Sequence, residues 1–180
     1  MKIQTLIILV LITLQSCWIS PEILDKSNSP GDFSVQSKNS AENEFSFNDF
    51  ISSVNQAAAD QKQVLVDSFI QWADTTTGIP YIEDGTAYFL YLNGSSPQVA
   101  VAGDFTGWDP TNQNLDHLSG TNLYYAGYQF EHDARLDYKI VVDGNWILDP
   151  LNPNTCSGGY GPNSELSMLG YVQPPEIQSY

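Results

Sequence analysis

Cysteine, histidine and basic residues are scarce in this chain of 180 residues. It contains 2 cysteines, 2 histidines and 6 lysines and arginines, against 21 aspartates and glutamates, which gives a net charge of −15. A surface this acidic repels the phosphates of nucleic acids and anionic lipid head groups, so we expect no nucleic-acid partner. With so few cysteines, neither a disulfide framework nor a thiolate metal site is expected.

Motifs that would support catalysis or cofactor binding are also missing. The sequence has no Gly-x-Ser-x-Gly nucleophile elbow, which an α/β-hydrolase requires. Neither His117 nor His132 has a second ligand at helical or hairpin spacing, so each is expected in a surface loop and not at a metal. The glycine run at residues 158–161 lacks a lysine and a following helix, so we expect a plain turn and not a phosphate loop.

Carboxylates are numerous, but they do not form a convincing catalytic pair for glycoside hydrolysis. Asp143 belongs to a tight turn, and Asp149 before Pro150 is typical of a residue that accepts hydrogen bonds at a strand end. Asp104, Asp109 and Asp137 are the other aspartates that could supply a member of such a pair. We therefore expect no catalytic residue, no metal and no cofactor.

The N-terminus has the pattern of a targeting segment. Lys2 precedes a short apolar run at residues 6–14, which is too short to span a bilayer and is typical of a signal peptide. The run ends in Leu-Gln-Ser-Cys at residues 14–17, which resembles the bacterial lipoprotein lipobox. That resemblance implies cleavage after residue 16, lipidation of Cys17, and attachment to the bacterial cell envelope through this lipid. The alternative is ordinary secretory cleavage nearby. If Cys17 is lipidated, Cys156 has no partner within the chain.

Residues 17–44 are rich in polar residues and proline, which predicts a disordered tether. Residues 45–77 are expected to be helical. Ser46 is a plausible N-cap for a first helix, Ala57 to Ala59 favour helix, and Asp60 is a plausible cap for a second. The apolar positions at helical spacing are Phe47, Phe50, Ile51 and Val54, followed by Val64, Leu65, Phe69 and Trp72. Such helices cover either the following domain or a partner chain.

From residue 85 to residue 169 the pattern is that of short strands separated by turns. Six strands of this kind predict a mainly β fold, an antiparallel β-sandwich, and residues 170–180 read as a proline-containing tail or linker. The expected strands span residues 86–92, 98–102, 123–130, 135–142, 145–148 and 164–168.

The two strands around Asp143 and Gly144 are predicted to form a hairpin with a type I′ turn. Its register pairs Val141 with Trp146, so that Trp146 and Lys139 lie on the solvent face together with Asp137 and Val141. The core face carries Leu136, Tyr138, Ile140, Val142 and Ile147. An exposed tryptophan beside a lysine is either an edge residue covered by a loop or a platform for a ligand.

Two motifs resemble carbohydrate-binding module family 48. They are Val-Ala-Gly-Asp-Phe-Thr-Gly-Trp at residues 101–108 and the hairpin at residues 137–150. The family includes the glycogen-binding domain of the AMP-activated protein kinase beta subunit and N-terminal domains of glycoside hydrolase family 13 enzymes. The resemblance implies an immunoglobulin-like sandwich that binds an α-glucan or other oligosaccharide through Trp108, Lys139, Trp146 and Asn163. Indole faces stack on sugar rings, and lysine and asparagine bond to hydroxyls.

A narrower resemblance covers residues 146–155 and 158–166. These segments are similar to the N-terminal domain of bacterial enterochelin-esterase-like proteins, in which helices and a sandwich precede an α/β-hydrolase domain. The alternative function is therefore an accessory domain of a hydrolase, either an esterase or a glycoside hydrolase, whose catalytic domain this chain lacks. Trp146 and the loop at residues 158–163 would then contact a separate hydrolase domain or protein, not a sugar.

Overall fold

The computed structural model describes residues 46–95, 97–112 and 114–175. The expected signal peptide (1–16), the lipidation residue Cys17, the tether (17–44) and residues 176–180 of the tail lie outside the described residues. The described part is mainly β: two α-helices precede two antiparallel sheets in an immunoglobulin-like sandwich, which confirms the expected fold class. None of the helices in this part is long and apolar enough to cross a membrane.

The helices are α1 (Phe47–Gln56) and α2 (Ala59–Thr76). The strands are β1 (Tyr81–Glu83), β2 (Thr86–Leu92), β3 (Val99–Gly103), β4 (Asp116–His117), β5 (Leu123–Gln129), β6 (Arg135–Val142), β7 (Asn145–Ile147), β8 (Thr155–Gly158) and β9 (Gly161–Ser167). Sheet A has the order β1-β2-β5-β4, and sheet B has the order β3-β6-β9-β8 with β7 also paired to β6. Two 3-10 turns, Asp104–Thr106 and Pro110–Asn112, follow β3.

The main core lies between the two sheets. Alternate residues of β2 and β5 point toward it from sheet A, and Tyr138 and Ile140 of β6 reach it from sheet B, each with no exposed surface. The predicted core face of β5, which is Tyr124, Ala126, Tyr128 and Phe130, packs into this cluster, as does the predicted core face of the hairpin.

The other face of sheet A is covered by the helices. Phe47 and Phe69 pack with Tyr81, Leu90 and Leu123 in a second buried cluster. Glu83 adds a polar link, because its two carboxylate oxygens accept from the Phe47 backbone N–H at 3.0 and 3.3 Å. The helices therefore cover their own domain. The layers run from helices to sheet A to sheet B, and among the described residues part of the outer face of sheet B, around Trp146, is exposed.

The helix prediction was right in the first helix and partly wrong in the second. Ser46 caps α1 as expected, with its Oγ accepting from the Asp49 N–H at 3.1 Å. Ala57 and Ala58, however, are extended and separate the helices, so α2 begins at Ala59 and Asp60 lies inside its first turn without capping it. Because alanine is a good helix former and has no capping group, a pair of alanines does not indicate that the helix is interrupted there.

The apolar face predicted for α2 was also wrong at three of its four positions. Val64, Leu65 and Trp72 are 53%, 37% and 39% exposed, whereas Phe69 is buried. The buried side of α2 is formed by Val66, Phe69 and Ala73. α2 has more apolar residues than the sheet can cover. The sequence alone does not show which of them face the sheet.

Three strands were missed, and each lies at a sheet edge. β1, β4 and β8 are two to four residues long and end their sheets in the observed order. Edge strands of this length pair through backbone groups and need no alternating apolar pattern. One of them, β1, precedes residue 85, where the sandwich was expected to begin.

The central hairpin was predicted correctly in turn type and register. Asp143 and Gly144 have φ values of 48° and 80°, and Val141 pairs with Trp146. Val141 itself was assigned wrongly to the solvent: it is only 4% exposed and packs with Ala100 and Ala102. The reason lies in the connection after β3, because its Pro110–Asn112 turn folds back against that strand.

Candidate functional site

A cleft of about 800 Å³ opens on the outer face of sheet B. All four residues that the sequence placed in a sugar site line it: Trp108, Lys139, Trp146 and Asn163. The cleft also contains Asp137, Ser157, Gly158, Gly159 and Tyr160, which were not predicted as site residues. The remaining predicted residue, Cys17, lies outside the described residues.

Trp108 is positioned by a tight turn at the end of β3. The 3-10 turn Asp104–Thr106 is followed by Gly107 and Trp108, which both have a φ of 62°. The Trp108 N–H donates to the Gly103 carbonyl at 2.9 Å, and the Thr106 hydroxyl bonds to both backbone groups of Gly103. A non-glycine residue in the left-handed region is uncommon, and here it reverses the chain so that the indole lies over sheet B.

Gly103 is needed because β3 and β6 approach closely at this point. A Cβ on Gly103 would overlap the Asp137 carbonyl oxygen and lie 2.8 Å from Tyr138 Cβ. No other residue type fits there without moving a strand. The glycine therefore keeps the Trp108 turn against the strand that carries Lys139.

Trp146 reaches the cleft from β7. The hairpin register places it opposite Val141, on the same face of the sheet as Lys139. Its side chain is 43% exposed, and its ring centroid lies 6.4 Å from that of Trp108, with 25° between the ring planes. The two indoles thus form a near-parallel aromatic pair that is open to solvent.

Lys139 and Asn163 add polar groups beside the indoles. Within the described residues, the Lys139 ammonium has no hydrogen-bond or ion-pair partner, so its donors are available to a ligand. Asn163 is 8% exposed, and its Nδ2 donates to Asp137 Oδ2 at 3.1 Å. That bond fixes the amide and leaves the Asn163 side-chain oxygen as the free acceptor.

Asp137 is held in its charged form by its neighbours. Burial acts to raise its pKa, but hydrogen bonds from Asn163 and Cys156 and the nearby Arg135 guanidinium outweigh burial and lower the pKa. Arg135 bonds to Asp137 Oδ1 at 2.6 Å and to Glu165 Oε2 at 2.5 Å, and these bonds raise the pKa of Arg135 against the effect of its own burial. This network braces the wall of the cleft formed by β6 and β9.

A buried polar cluster lies beneath the cleft and anchors the segment after β7. The Tyr138 hydroxyl donates to Asp149 Oδ2 at 2.7 Å and accepts from Asn152 Nδ2 at 2.9 Å. The Asp149 N–H donates to the Ser164 hydroxyl at 2.8 Å. Asp149 accepts hydrogen bonds at a strand end, as predicted. Burial raises its pKa despite these hydrogen bonds, and burial also raises the pKa of Tyr138.

Tyr160 is the most notable cleft residue that sequence reasoning missed. It is fully exposed at the turn between β8 and β9, where the glycine-rich run makes a hairpin. The expected glycine turn is confirmed. The available signal was an aromatic residue flanked by glycines at an expected turn.

The potential metal-ligating side chains of the described residues are dispersed. These residues contain no group of three or more His, Cys, Asp or Glu side chains arranged to hold a metal ion. His117 is exposed but lies in β4 and not in a loop, and its ring contacts Tyr124 and the Thr121 carbonyl. His132 is exposed in a loop, as predicted.

Sequence comparison finds similarity over part of the chain, and no family model matches it. Over 78 residues the chain is 31% identical to Protein PTST homolog 2, chloroplastic, of Arabidopsis thaliana. It has the same identity over 78 residues to Protein FLOURY ENDOSPERM 6, chloroplastic, of Oryza sativa subsp. japonica. Each alignment covers 43% of this chain and only 14% of the relative's length.

Structural comparison finds similarity to enterobactin esterases. The enterobactin esterase FES of Shigella flexneri, in the presence of enterobactin, aligns with a TM-score of 0.43 and 19% identity over 52% of this chain and 33% of its own. Ferric enterobactin esterase of Salmonella typhimurium aligns with a TM-score of 0.45 and 18% identity over 59% of this chain and 38% of its own. This chain therefore spans little more than a third of these solved structures.

Proposed function

We propose that the chain carries a non-catalytic binding module for an α-glucan, such as glycogen, or for another oligosaccharide. The observation that carries the proposal is the open, near-parallel pair of Trp108 and Trp146, 6.4 Å apart, in a cleft that also contains Lys139, whose ammonium has no partner among the described residues. Sugar rings have flat apolar C–H faces that stack on indole, and a ring of hydroxyls that lysine and asparagine bond.

The charge of the cleft fits a neutral ligand. Its charged side chains are Asp137 and Lys139, which balance one another. The chain as a whole carries −15, so an anionic ligand would be repelled at long range. A polyhydroxylated, uncharged chain is the ligand class that satisfies the aromatic pair, the free ammonium and the overall charge together.

The size of the cleft fits an oligosaccharide. At about 800 Å³ it lies toward the upper end of the range of ordinary small-molecule sites. Stacking on each indole contributes about 0.5–1.5 kcal/mol, so one sugar unit binds weakly and several units are needed for useful affinity.

Co-sedimentation with glycogen tests the proposal. We expect the wild-type chain to sediment with glycogen and Trp146→Ala to bind about twofold to tenfold more weakly, because it removes one of the two stacking indoles. Trp72→Ala is the matched control, since Trp72 is similarly exposed on α2, away from sheet B. The proposal would be contradicted if all three proteins sedimented equally with glycogen, or if none of them sedimented with it.

A second candidate function is an accessory domain that contacts a hydrolase. The observation in its favour is an apolar groove of about 470 Å³ on α1 and α2, lined by Phe50, Ser53, Leu65, Ser68, Phe69 and Trp72. A hydrolase encoded beside this chain that co-purifies with the wild type but not with Leu65→Asp would favour this function. Glycogen binding that is unaffected by Leu65→Asp and weakened in Trp146→Ala would favour the first.

The expected location is also a proposal. A lipid on Cys17 would attach the chain to a membrane of the bacterial cell envelope. Radioactive palmitate should label the wild type, while Cys17→Ser should stay unlabelled and fractionate with soluble proteins. Label retained by Cys17→Ser would refute lipidation at this residue.

A further inference from the structure

The Asp104 carboxylate connects Trp108 to β6, one of the two strands that form the wall of the cleft. Asp104 Oδ1 accepts from the Trp108 indole Nε1–H at 3.1 Å, and Asp104 Oδ2 accepts from the Asp137 backbone N–H at 2.9 Å. Both bonds have a charged acceptor, which makes them stronger than hydrogen bonds between neutral groups. Asp104 therefore holds the ring and the strand in a fixed relation.

The two indoles of the cleft differ in what they offer a ligand. The only N–H donor of the Trp108 ring is already used by Asp104. Trp146 has no hydrogen-bond acceptor for its indole N–H among the described residues, and its side chain is 43% exposed. One ring is thus fixed and presents only its face, whereas the other has a free donor.

We propose that Asp104 is a positioning residue of this cleft, an inference that rests on the proposed function. It fixes Trp108 as a rigid stacking wall before the ligand arrives. Among the aromatic and basic residues of the cleft, the hydroxyls of the bound sugar then have donors from Trp146, Lys139 and Tyr160, and none from Trp108. Selectivity for hydroxyl positions therefore belongs to the polar groups of the other cleft residues, and Trp108 accepts any sugar with a flat apolar face.

The bonding pattern requires a carboxylate. Asparagine has a single acceptor oxygen, so Asp104→Asn retains one of the two bonds, and Asp104→Ala retains neither. Asp104 is exposed, so both variants should fold. Asp116→Ala is the matched control, because it removes an equivalent exposed charge from β4 in the other sheet.

The first experiment needs no ligand. Hydrogen exchange of the indole N–H groups is followed by NMR on the full chain, with Trp108→Phe and Trp146→Phe identifying the two signals. We expect the Trp108 N–H to exchange more than about tenfold more slowly than the Trp146 N–H, the ratio given by a hydrogen bond to a charged group. Asp104→Ala should remove this difference, and Asp116→Ala should keep it. Equal rates in the wild type would overturn the inference.

The second experiment measures maltoheptaose affinity by calorimetry. We expect Asp104→Ala to bind about threefold to tenfold more weakly, because the ring must then be immobilised on binding, and Asp104→Asn to fall between it and the wild type. Unchanged affinity in Asp104→Ala would refute the positioning role. A wild type that binds no glucan would refute the proposed function and this role with it, whereas the exchange rates would still decide whether Asp104 holds the ring.

Discussion

Asp137 and Asp149 lie close in the fold, yet their surroundings move their pKa values in opposite directions. Burial raises the pKa of Asp149, which has only neutral partners, so the folded state favours its protonated form. Asp137 is subject to burial as well, but Asn163, Cys156 and Arg135 lower its pKa and favour its charged form. The linkage to stability therefore has opposite sign at the two residues.

The sign can be tested with the two amide variants. The contribution of Asp149 is complete below its unfolded pKa and is lost as pH rises through its folded pKa, so Asp149→Asn should gain stability relative to the wild type as pH rises. The contribution of Asp137 is present above its unfolded pKa and is lost as pH falls through its folded pKa, so Asp137→Asn should lose relative stability as pH rises.

Urea unfolding from about pH 3 to pH 8 measures both trends. The test uses the change of stability with pH and not the absolute stability of each variant. An amide cannot accept both hydrogen bonds that Asp149 accepts from Tyr138 and Leu151, so Asp149→Asn is destabilised at every pH. If the stability of both variants relative to the wild type changed in the same direction with pH, the opposite pKa shifts of Asp137 and Asp149 would be contradicted.

At the level of single residues, the family pattern selected side chains that are far apart in the chain, but the sequence does not show contacts that depend on local geometry. Trp108, Lys139, Trp146 and Asn163 were selected through a family pattern, and they do meet in one cleft. Asp104 was considered only as a possible catalytic carboxylate, because its two donors are visible only once the turn after β3 is folded.

Among the elements, the end of β3 is the one on which the cleft depends most. Gly103→Ala should destabilise the protein by about 1–3 kcal/mol, because the added methyl group overlaps the backbone of β6. Gly94→Ala is the control, since a Cβ there meets nothing within 4 Å. Urea unfolding compares the two, and equal stabilities would show that β3 can shift at no cost.

The second helix gives a matched pair of its own. Val66 is fully buried and Val64 is 53% exposed. Val66→Ala should therefore cost about 1.5–3 kcal/mol of stability, and Val64→Ala should cost close to nothing. Similar losses in thermal or urea unfolding would mean that the helix is rotated from its described orientation.

Elements with a strong local signal were predicted well, and those held by tertiary contacts were not. β2 and β6 have the predicted bounds, and the turn at Asp143 and Gly144 determines the register of its hairpin. The helix break at Ala57 and the edge strand β8 have no local signal, because packing on sheet A creates the first and backbone pairing with β9 creates the second.

At the scale of the whole molecule, the helices and the cleft belong to different layers. The helices complete the core on sheet A, while the cleft lies on the outer face of sheet B. Changes on the exposed side of α2 should therefore leave the cleft intact. The sequence predicted the sandwich but left open whether the helices cover it. That choice depends on which of their apolar residues fit the sheet, and a single sequence does not contain this information.

The most direct test of the account is a tryptophan fluorescence titration of the full chain with maltoheptaose. Trp108 and Trp146 both line the cleft, so a bound glucan should change the emission of both. The account predicts a saturable change that becomes smaller and moves to higher sugar concentration in Trp146→Ala, where only Trp108 reports, and that is unchanged in midpoint in Trp72→Ala. An emission that stays constant at all sugar concentrations, in a chain that circular dichroism shows to be folded, would contradict it.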